Sequence, residues 1–116
     1  MNLQSHFEPH ILKCRTGDWE HAKRVVSWIK ELAGNREDLN LLVIAGYIHD
    51  IGWSGLVPQG RKLSRDELLK FQPRADKQTN TLVKSVLSGF SLTQSEINKI
   101  LRLIKATETY EATQED

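Results

Sequence analysis

Hydrophobic residues recur at helical spacing along most of the chain. The first stripe begins after Asp18, a predicted N-cap, and ends at Gly34. Its apolar members stand three or four residues apart: Trp19, Ala22, Val25, Val26, Ile29, Leu32 and Ala33. A second segment, from about Glu37 to Asp50, contains the unbroken apolar run 41–48. Its length of about thirteen residues, with Gly52 just beyond it, favours a helix buried on most sides over a buried strand.

Turn and capping signals divide the middle of the chain. Residues 52–62 hold three glycines and a proline, which predicts a loop. Residues Ser64–Glu67 have the pattern of a capping box, which predicts the start of a short helix. We expect Pro73 to end that helix and to begin another, which would end at Gly89.

The C-terminal third shows the same kind of pattern. Residues Thr93–Glu96 form a second capping-box pattern. Apolar residues follow it at helical spacing: Ile97, Ile100, Leu101 and Ile104. The chain shows no hairpin signal and no internal repeat, and its 116 residues suit one domain, 1–116. The patterns together predict an all-α fold.

Composition excludes several classes of function. Sixteen basic and fifteen acidic residues give a net charge of +1, which disfavours binding to nucleic acid or to an anionic membrane. The apolar run 41–48 is far shorter than the ~20 residues that a membrane span needs. The N-terminus lacks a signal-peptide pattern, and Cys14 is the single cysteine. We therefore expect a cytoplasmic protein that spans no membrane and has no internal disulfide.

An imidazole and a carboxylate, His49 and Asp50, stand at the end of the apolar segment. Buried polar groups are costly without partners, and a divalent cation would satisfy both side chains. An acidic residue at a helix C-terminus also opposes the helix dipole, which a cation would relieve. Twenty-eight residues before His49 lies His21, on the helix face that carries Val25, Trp28, Ile29 and Leu32.

Packing of the two helices would therefore bring three donors together: His21, His49 and Asp50. Mixed imidazole and carboxylate ligation suits zinc, iron, manganese or nickel better than calcium. The plain alternative is that each histidine is a hydrogen-bonded core or rim residue and that Asp50 merely ends a helix. Spacing alone does not decide between these interpretations.

The stretch 17–54 contains His21 in an amphipathic helix and then Ala45-Gly46-Tyr47-Ile48-His49-Asp50-Ile51-Gly52-Trp53. In this arrangement it resembles the HD-domain superfamily of metal-dependent phosphohydrolases. A histidine–aspartate pair alone is uninformative, but its place between an apolar helix and Ile51-Gly52 is fairly specific. The resemblance covers about residues 18–107. It implies a single-domain bundle of five to six helices that binds a divalent cation through His21, His49 and Asp50.

The resemblance also implies a fourth ligand, an aspartate on a later helix. Asp116 is a candidate, although a terminal residue is a poor anchor. We expect instead that the chain is a truncated form and that this ligand is absent. Members of the family with two or more metal ions carry further histidines, and no histidine follows His49 here. We therefore expect one ion: manganese, iron, nickel, zinc or magnesium.

The activity implied by the resemblance is hydrolysis of a phosphomonoester, a phosphodiester or a nucleotide. The cation would acidify a water molecule and polarise a phosphoryl oxygen. His49 and Asp50 would be the catalytic residues, with Asp50 as general base. Arg24, three residues after His21, could contact the substrate phosphate, although a solvated surface arginine is its plain interpretation.

Other interpretations stay open at this stage. The main alternative is a non-enzymatic HD-like module that regulates or scaffolds a partner. The expected partner of the enzyme is a phosphorylated small molecule or nucleotide; nucleic acid is disfavoured, and a homodimer is left open. Arg61, Lys62 and Arg65 form a basic cluster that could attract an anionic substrate or could simply be solvated.

Overall fold

The chain folds as a bundle of α-helices in the computed structural model. The structure describes residues 2–57 and 63–114, with side chains described as far as residue 106. In those ranges there is no strand, and the helices are α1 (Leu3–Ile11), α2 (Asp18–Ala33), α3 (Leu39–Ile48), α4 (Arg65–Leu87) and α5 (Gln94–Gln114). A short 3-10 turn, Ile51–Trp53, follows α3. The prediction of an all-α, single-domain helical bundle is confirmed.

Helix α3 lies at the centre of the bundle. Its residues 43–48 are all buried, and α1, α2 and α5 pack around it. This position explains the apolar run in the sequence, because a helix covered on most sides has no solvent face to keep polar. The surrounding core includes Phe7, Ile11, Trp19, Val26, Val83, Leu87, Ile100 and Ile104.

Helix α4 passes through Pro73 without a break. The predicted division into two helices at this proline is therefore wrong. Proline removes one backbone hydrogen bond and crowds the turn before it, but the carbonyl group deprived here belongs to Leu69. Leu69 is 64% exposed, so water can hydrate that carbonyl. The buried face of the helix continues beyond the proline through Ala75, Thr79 and Val83.

Helix α1 is an element that the sequence pattern did not predict. It is short and contains Pro9, which weakens a helical pattern. Packing stabilises it, since Phe7 and Ile11 are fully buried. His6 adds a contact of 3.3 Å between its Nε2 atom and the carbonyl oxygen of Val86, at the end of α4. Tertiary contacts thus outweigh a weak local signal.

Both predicted capping boxes are present, whereas the predicted N-cap of α2 is not. Ser64 and Glu67 form the predicted capping box, with reciprocal hydrogen bonds of 3.2 Å. Glu96 accepts from the Thr93 amide at 2.9 Å, and Thr93 Oγ1 accepts from the Glu96 amide at 3.1 Å. The N-cap predicted at Asp18 is wrong, because that carboxylate is buried and accepts hydrogen bonds from Arg15 instead.

The apolar face of α2 is narrower than the sequence predicts. Ala22 and Val26 are buried, whereas Trp28 and Leu32 are 61% and 80% exposed. The side of the helix that carries Ala22 and Val26 therefore packs on the core, and the side that carries Trp28 and Leu32 faces solvent. His21, in the first turn of α2, is half-buried.

The predicted loop after residue 52 starts with the 3-10 turn and continues as turns to residue 57. Arg61 and Lys62 of the basic cluster lie outside the described residues. Arg65 is exposed at the start of α4. In the part of the chain that the structure describes, no helix is both long enough and apolar enough to cross a membrane.

Gly52 lies where the 3-10 turn packs on α4, so a substitution of Gly52 tests this packing. A Cβ atom at this position would overlap the hydroxyl oxygen of Thr79 and the carbonyl oxygen of Ala75. We expect Gly52→Ala to lower the free energy of unfolding by about 1–3 kcal/mol, because the Ala75 backbone cannot easily retreat. Urea denaturation measures the change. Gly89→Ala is the matched control, since nothing lies within 4 Å of its Cβ position. Equal stability of the two variants would contradict this packing.

Candidate metal centre

Close packing of α2 on α3 places His21 beside His49. The two helices meet at Gly46, where a Cβ atom would lie 2.8 Å from Ile29 Cδ1 and 3.1 Å from Val26 Cγ2. The absence of a side chain at Gly46 lets these side chains lie close to the α3 backbone. The imidazole rings of the two histidines then lie 5.2 Å apart, centroid to centroid, with their planes inclined by 62°.

His49 is buried and its ring is oriented by the backbone. The residue directly follows the last residue of α3, and 2% of its surface is exposed. Its Nδ1 atom lies 2.7 Å from the Gly46 carbonyl oxygen, which can only accept, so Nδ1 carries the hydrogen. In the neutral ring the lone pair is therefore on Nε2. Metal-binding histidines commonly donate their other ring N–H in this way.

Asp50 faces the ring of its neighbour across a short distance. Its Oδ2 atom lies 3.1 Å from His49 Nε2. Two atoms that both carry lone pairs repel at this distance unless a positive charge accompanies them. Either a proton on Nε2 or a cation bound by both side chains would supply that charge. The pair thus has the chemistry expected of two ligands of one metal ion.

The C-terminal end of α3 differs slightly from the sequence prediction. The helix ends at Ile48, and Asp50 occupies the cap position of the following 3-10 turn rather than the last turn of α3. Its carboxylate is buried against Arg15, whose Nη2 atom lies 3.2 Å from Asp50 Oδ2. The expected conflict between Asp50 and the helix dipole is thus offset in part by a guanidinium group.

His21, His49 and Asp50 form a group that could hold a metal ion. Each offers one ligand atom, and these atoms lie within 4.8 Å of one another. Ligand atoms bonded at about 2.2 Å to one ion lie about 3.6 Å apart in tetrahedral geometry and at most about 4.4 Å apart, so a pair at 4.8 Å would have to close by about 0.4 Å or more. His21 is half-buried while the other two are buried, so the group is most accessible beside α2. Within the described ranges the group has these three members.

Arg15 is the neighbouring residue that the sequence interpretation missed. Its Nε and backbone N atoms donate to Asp18 Oδ2 at 2.9 Å and 3.0 Å, and its guanidinium carbon lies 4.4 Å from the centroid of the Trp53 ring. Burial raises the pKa of the Asp18 carboxyl group, and the Arg15 contacts oppose that rise. The three-residue spacing of Arg15 and Asp18 was a visible signal, but their proximity to Asp50 required the fold.

Cys14 is adjacent in sequence and is buried beside the same turn. Its Sγ atom lies 3.9 Å from the carbonyl oxygen of Ile51. Burial, together with the charges of Asp18 and Asp50, raises the pKa of this thiol to about 12. A thiolate is the reactive and metal-binding form of cysteine, so Cys14 is a packing residue at neutral pH.

Two other predicted residues are not brought into the group. Arg24 is exposed on α2, one turn after His21, and its contact with a phosphate stays a prediction. Asp116, the candidate fourth ligand, lies outside the described residues.

Comparison of the chain with protein-family models, with curated proteins and with solved structures gives no match. The candidate centre therefore rests on its donor atoms and their geometry.

Metal binding in solution tests the group directly. We expect one equivalent of Mn²⁺ or Zn²⁺ to bind, and His21→Ala, His49→Ala and Asp50→Asn each to weaken binding by about tenfold or more, because each removes a ligand. Isothermal titration calorimetry measures the affinity, and circular dichroism checks the helical content. His10→Ala is the control, since His10 lies on α1 outside the group. Unchanged affinity in all three ligand variants would rule out this centre.

Proposed function

We propose that the protein is a metal-dependent phosphohydrolase of the HD-domain type. The observation that supports this most strongly is the convergence of His21, His49 and Asp50 to within 4.8 Å. The resemblance of residues 45–53 to the motif of that superfamily supports the same assignment. The proposed substrate is a phosphomonoester, a phosphodiester or a nucleotide.

His21, His49 and Asp50 would hold one divalent cation. Two imidazoles and one carboxylate suit manganese, iron, nickel or zinc, and magnesium is also a candidate. A bound cation of this kind lowers the pKa of water and polarises a phosphoryl oxygen as a Lewis acid. Three protein ligands leave positions open for water and substrate.

The protein's own groups would orient the ligands, accept the proton and bind the substrate. The Gly46 carbonyl holds the His49 ring, which keeps Nε2 directed at Asp50. Asp50 is the proposed general base, because a carboxylate at the centre can accept a proton from the attacking water. Arg24, exposed one turn beyond His21, is a candidate contact for the substrate phosphate.

The proposed partner is a phosphorylated small molecule or a nucleotide. A net charge of +1 provides little attraction for polymeric nucleic acid. Action on such metabolites agrees with a cytoplasmic location, which we propose on the sequence evidence.

One observation favours a second candidate, a non-enzymatic HD-like module. The Arg15 guanidinium lies 3.2 Å from Asp50 Oδ2, so the carboxylate has a cationic neighbour even without a metal ion. A regulatory or scaffold module could therefore keep this geometry with no ion bound. Metal affinity and hydrolysis, measured together, separate the two candidates.

Hydrolysis of phosphate esters tests the proposed enzyme. We expect metal-dependent turnover in a panel of phosphomonoesters, cyclic nucleotides and nucleoside mono- and triphosphates, assayed with Mn²⁺, Mg²⁺, Ni²⁺ or Zn²⁺. Asp50→Asn should reduce kcat by about 100-fold or more, since it removes both a ligand charge and the proton acceptor. Phosphate release measures the rate.

Asp66→Asn is the matched control, because Asp66 is exposed in the first turn of α4 and should leave the rate unchanged. A protein that binds metal but hydrolyses nothing in the panel would favour the regulatory module. Activity that survives Asp50→Asn would place the chemistry elsewhere.

A further inference from the structure

We infer that Arg15 binds the phosphoryl group of the substrate at this centre, exchanging its contact with Asp50 for one with a phosphoryl oxygen. The inference rests on the proposed function and names the residue that would orient the substrate. It differs from the sequence interpretation, in which Arg24 was the candidate contact.

The position of Arg15 supports this role. Its Nη2 atom lies 3.2 Å from Asp50 Oδ2, the same oxygen that lies 3.1 Å from His49 Nε2. The Arg15 side chain is 25% exposed, whereas the His49 side chain is 1% exposed. The Arg15 side chain therefore contacts Asp50 and is more accessible to solvent than His49. An anion that approaches Asp50 from the side of Arg15 would meet its guanidinium.

The guanidinium is also held in a fixed orientation. Asp18 Oδ2 accepts from Arg15 Nε at 2.9 Å, and the Trp53 ring lies against the guanidinium at 4.4 Å. Neither contact involves Nη2. A group held at Nε and at its face keeps Nη2 at the centre even when the partner of Nη2 changes. Such prior ordering reduces the entropy lost on binding.

The contact with Asp50 is the one suited to exchange. At 3.2 Å it is longer than the contact of 2.9 Å with Asp18, and longer charged hydrogen bonds are weaker. A divalent cation at the centre would neutralise Asp50 and weaken its attraction for Arg15 further. Phosphoryl oxygens, like carboxylates, match the planar fork of a guanidinium, so a phosphoryl group can take the place of the Asp50 carboxylate. Arg15 would thus neutralise Asp50 in the resting protein and the substrate during turnover.

The test is calorimetric titration of inorganic phosphate into protein loaded with one equivalent of Mn²⁺. We expect Arg15→Gln to weaken phosphate binding by about tenfold or more, because one charged hydrogen bond is lost. Its affinity for Mn²⁺ should be unchanged or higher, since a competing cation near Asp50 is removed. Arg15→Lys should retain part of the phosphate affinity, because it keeps the charge but not the planar group.

Arg36→Gln is the matched control. Arg36 also pairs with an aspartate, Asp38, but at the opposite end of α3, about 15 Å along the helix from His49. We expect its phosphate affinity to equal that of the wild type. Arg15→Lys also guards against misfolding, since its ammonium group can still neutralise the buried Asp18.

The outcomes separate this inference from the proposed function. Wild-type phosphate affinity in an Mn²⁺-loaded Arg15→Gln variant would overturn the inference and leave the proposed function standing. Loss of both Mn²⁺ and phosphate binding in the two Arg15 variants would show that Arg15 only maintains the centre, which also overturns the inference. Failure of the wild type to bind Mn²⁺ would overturn both.

Discussion

The close contact of α2 with α3 at Gly46 is the constraint on which the candidate centre depends. Gly46 lacks the side chain that would collide with Ile29 and Val26, and its carbonyl oxygen accepts from His49 Nδ1. One residue thus lies at the contact between the two helices and orients a ring at their junction. His21 lies in the first turn of α2, and the packing of α2 on α3 places its ring 5.2 Å from that of His49, centroid to centroid. A Cβ atom at position 46 would press on the Ile29 and Val26 side chains, which would have to shift to keep the two helices at this separation.

Charge balance is the second constraint. Asp18 and Asp50 are both buried, and carboxylates lose hydration when they leave water, so each needs positive charge nearby. Arg15 contacts both of them, at 2.9 Å and 3.2 Å. A cation held by Asp50 and the two histidines would add a charge to the same small volume, and Arg15 would then be available to an anionic ligand. In the proposed enzyme, metal binding and anion binding would therefore be coupled through one carboxylate oxygen, Asp50 Oδ2.

Much of the fold followed from local patterns, because helical spacing and capping residues act over a few positions. Helix α3 and the capping box at Ser64 were predicted on that basis and are confirmed. The interruption at Pro73 was wrong, since the packing of α4 outweighs the loss of one hydrogen bond. The convergence of the three donors was predicted from helix faces and a family resemblance, and the structure brings them together. Arg15 could not be predicted, because its proximity to Asp50 depends on how the segment before α2 packs on the turn after α3.

The central claim is that His21, His49 and Asp50 bind one divalent cation. The most direct measurement is anomalous diffraction from crystals grown with Mn²⁺. A single strong peak should appear among the three side chains, with a nitrogen of each histidine and an Asp50 oxygen within about 2.0–2.2 Å of it. A map with no peak at this position, in which His49 and Asp50 contact only protein groups, would contradict the claim.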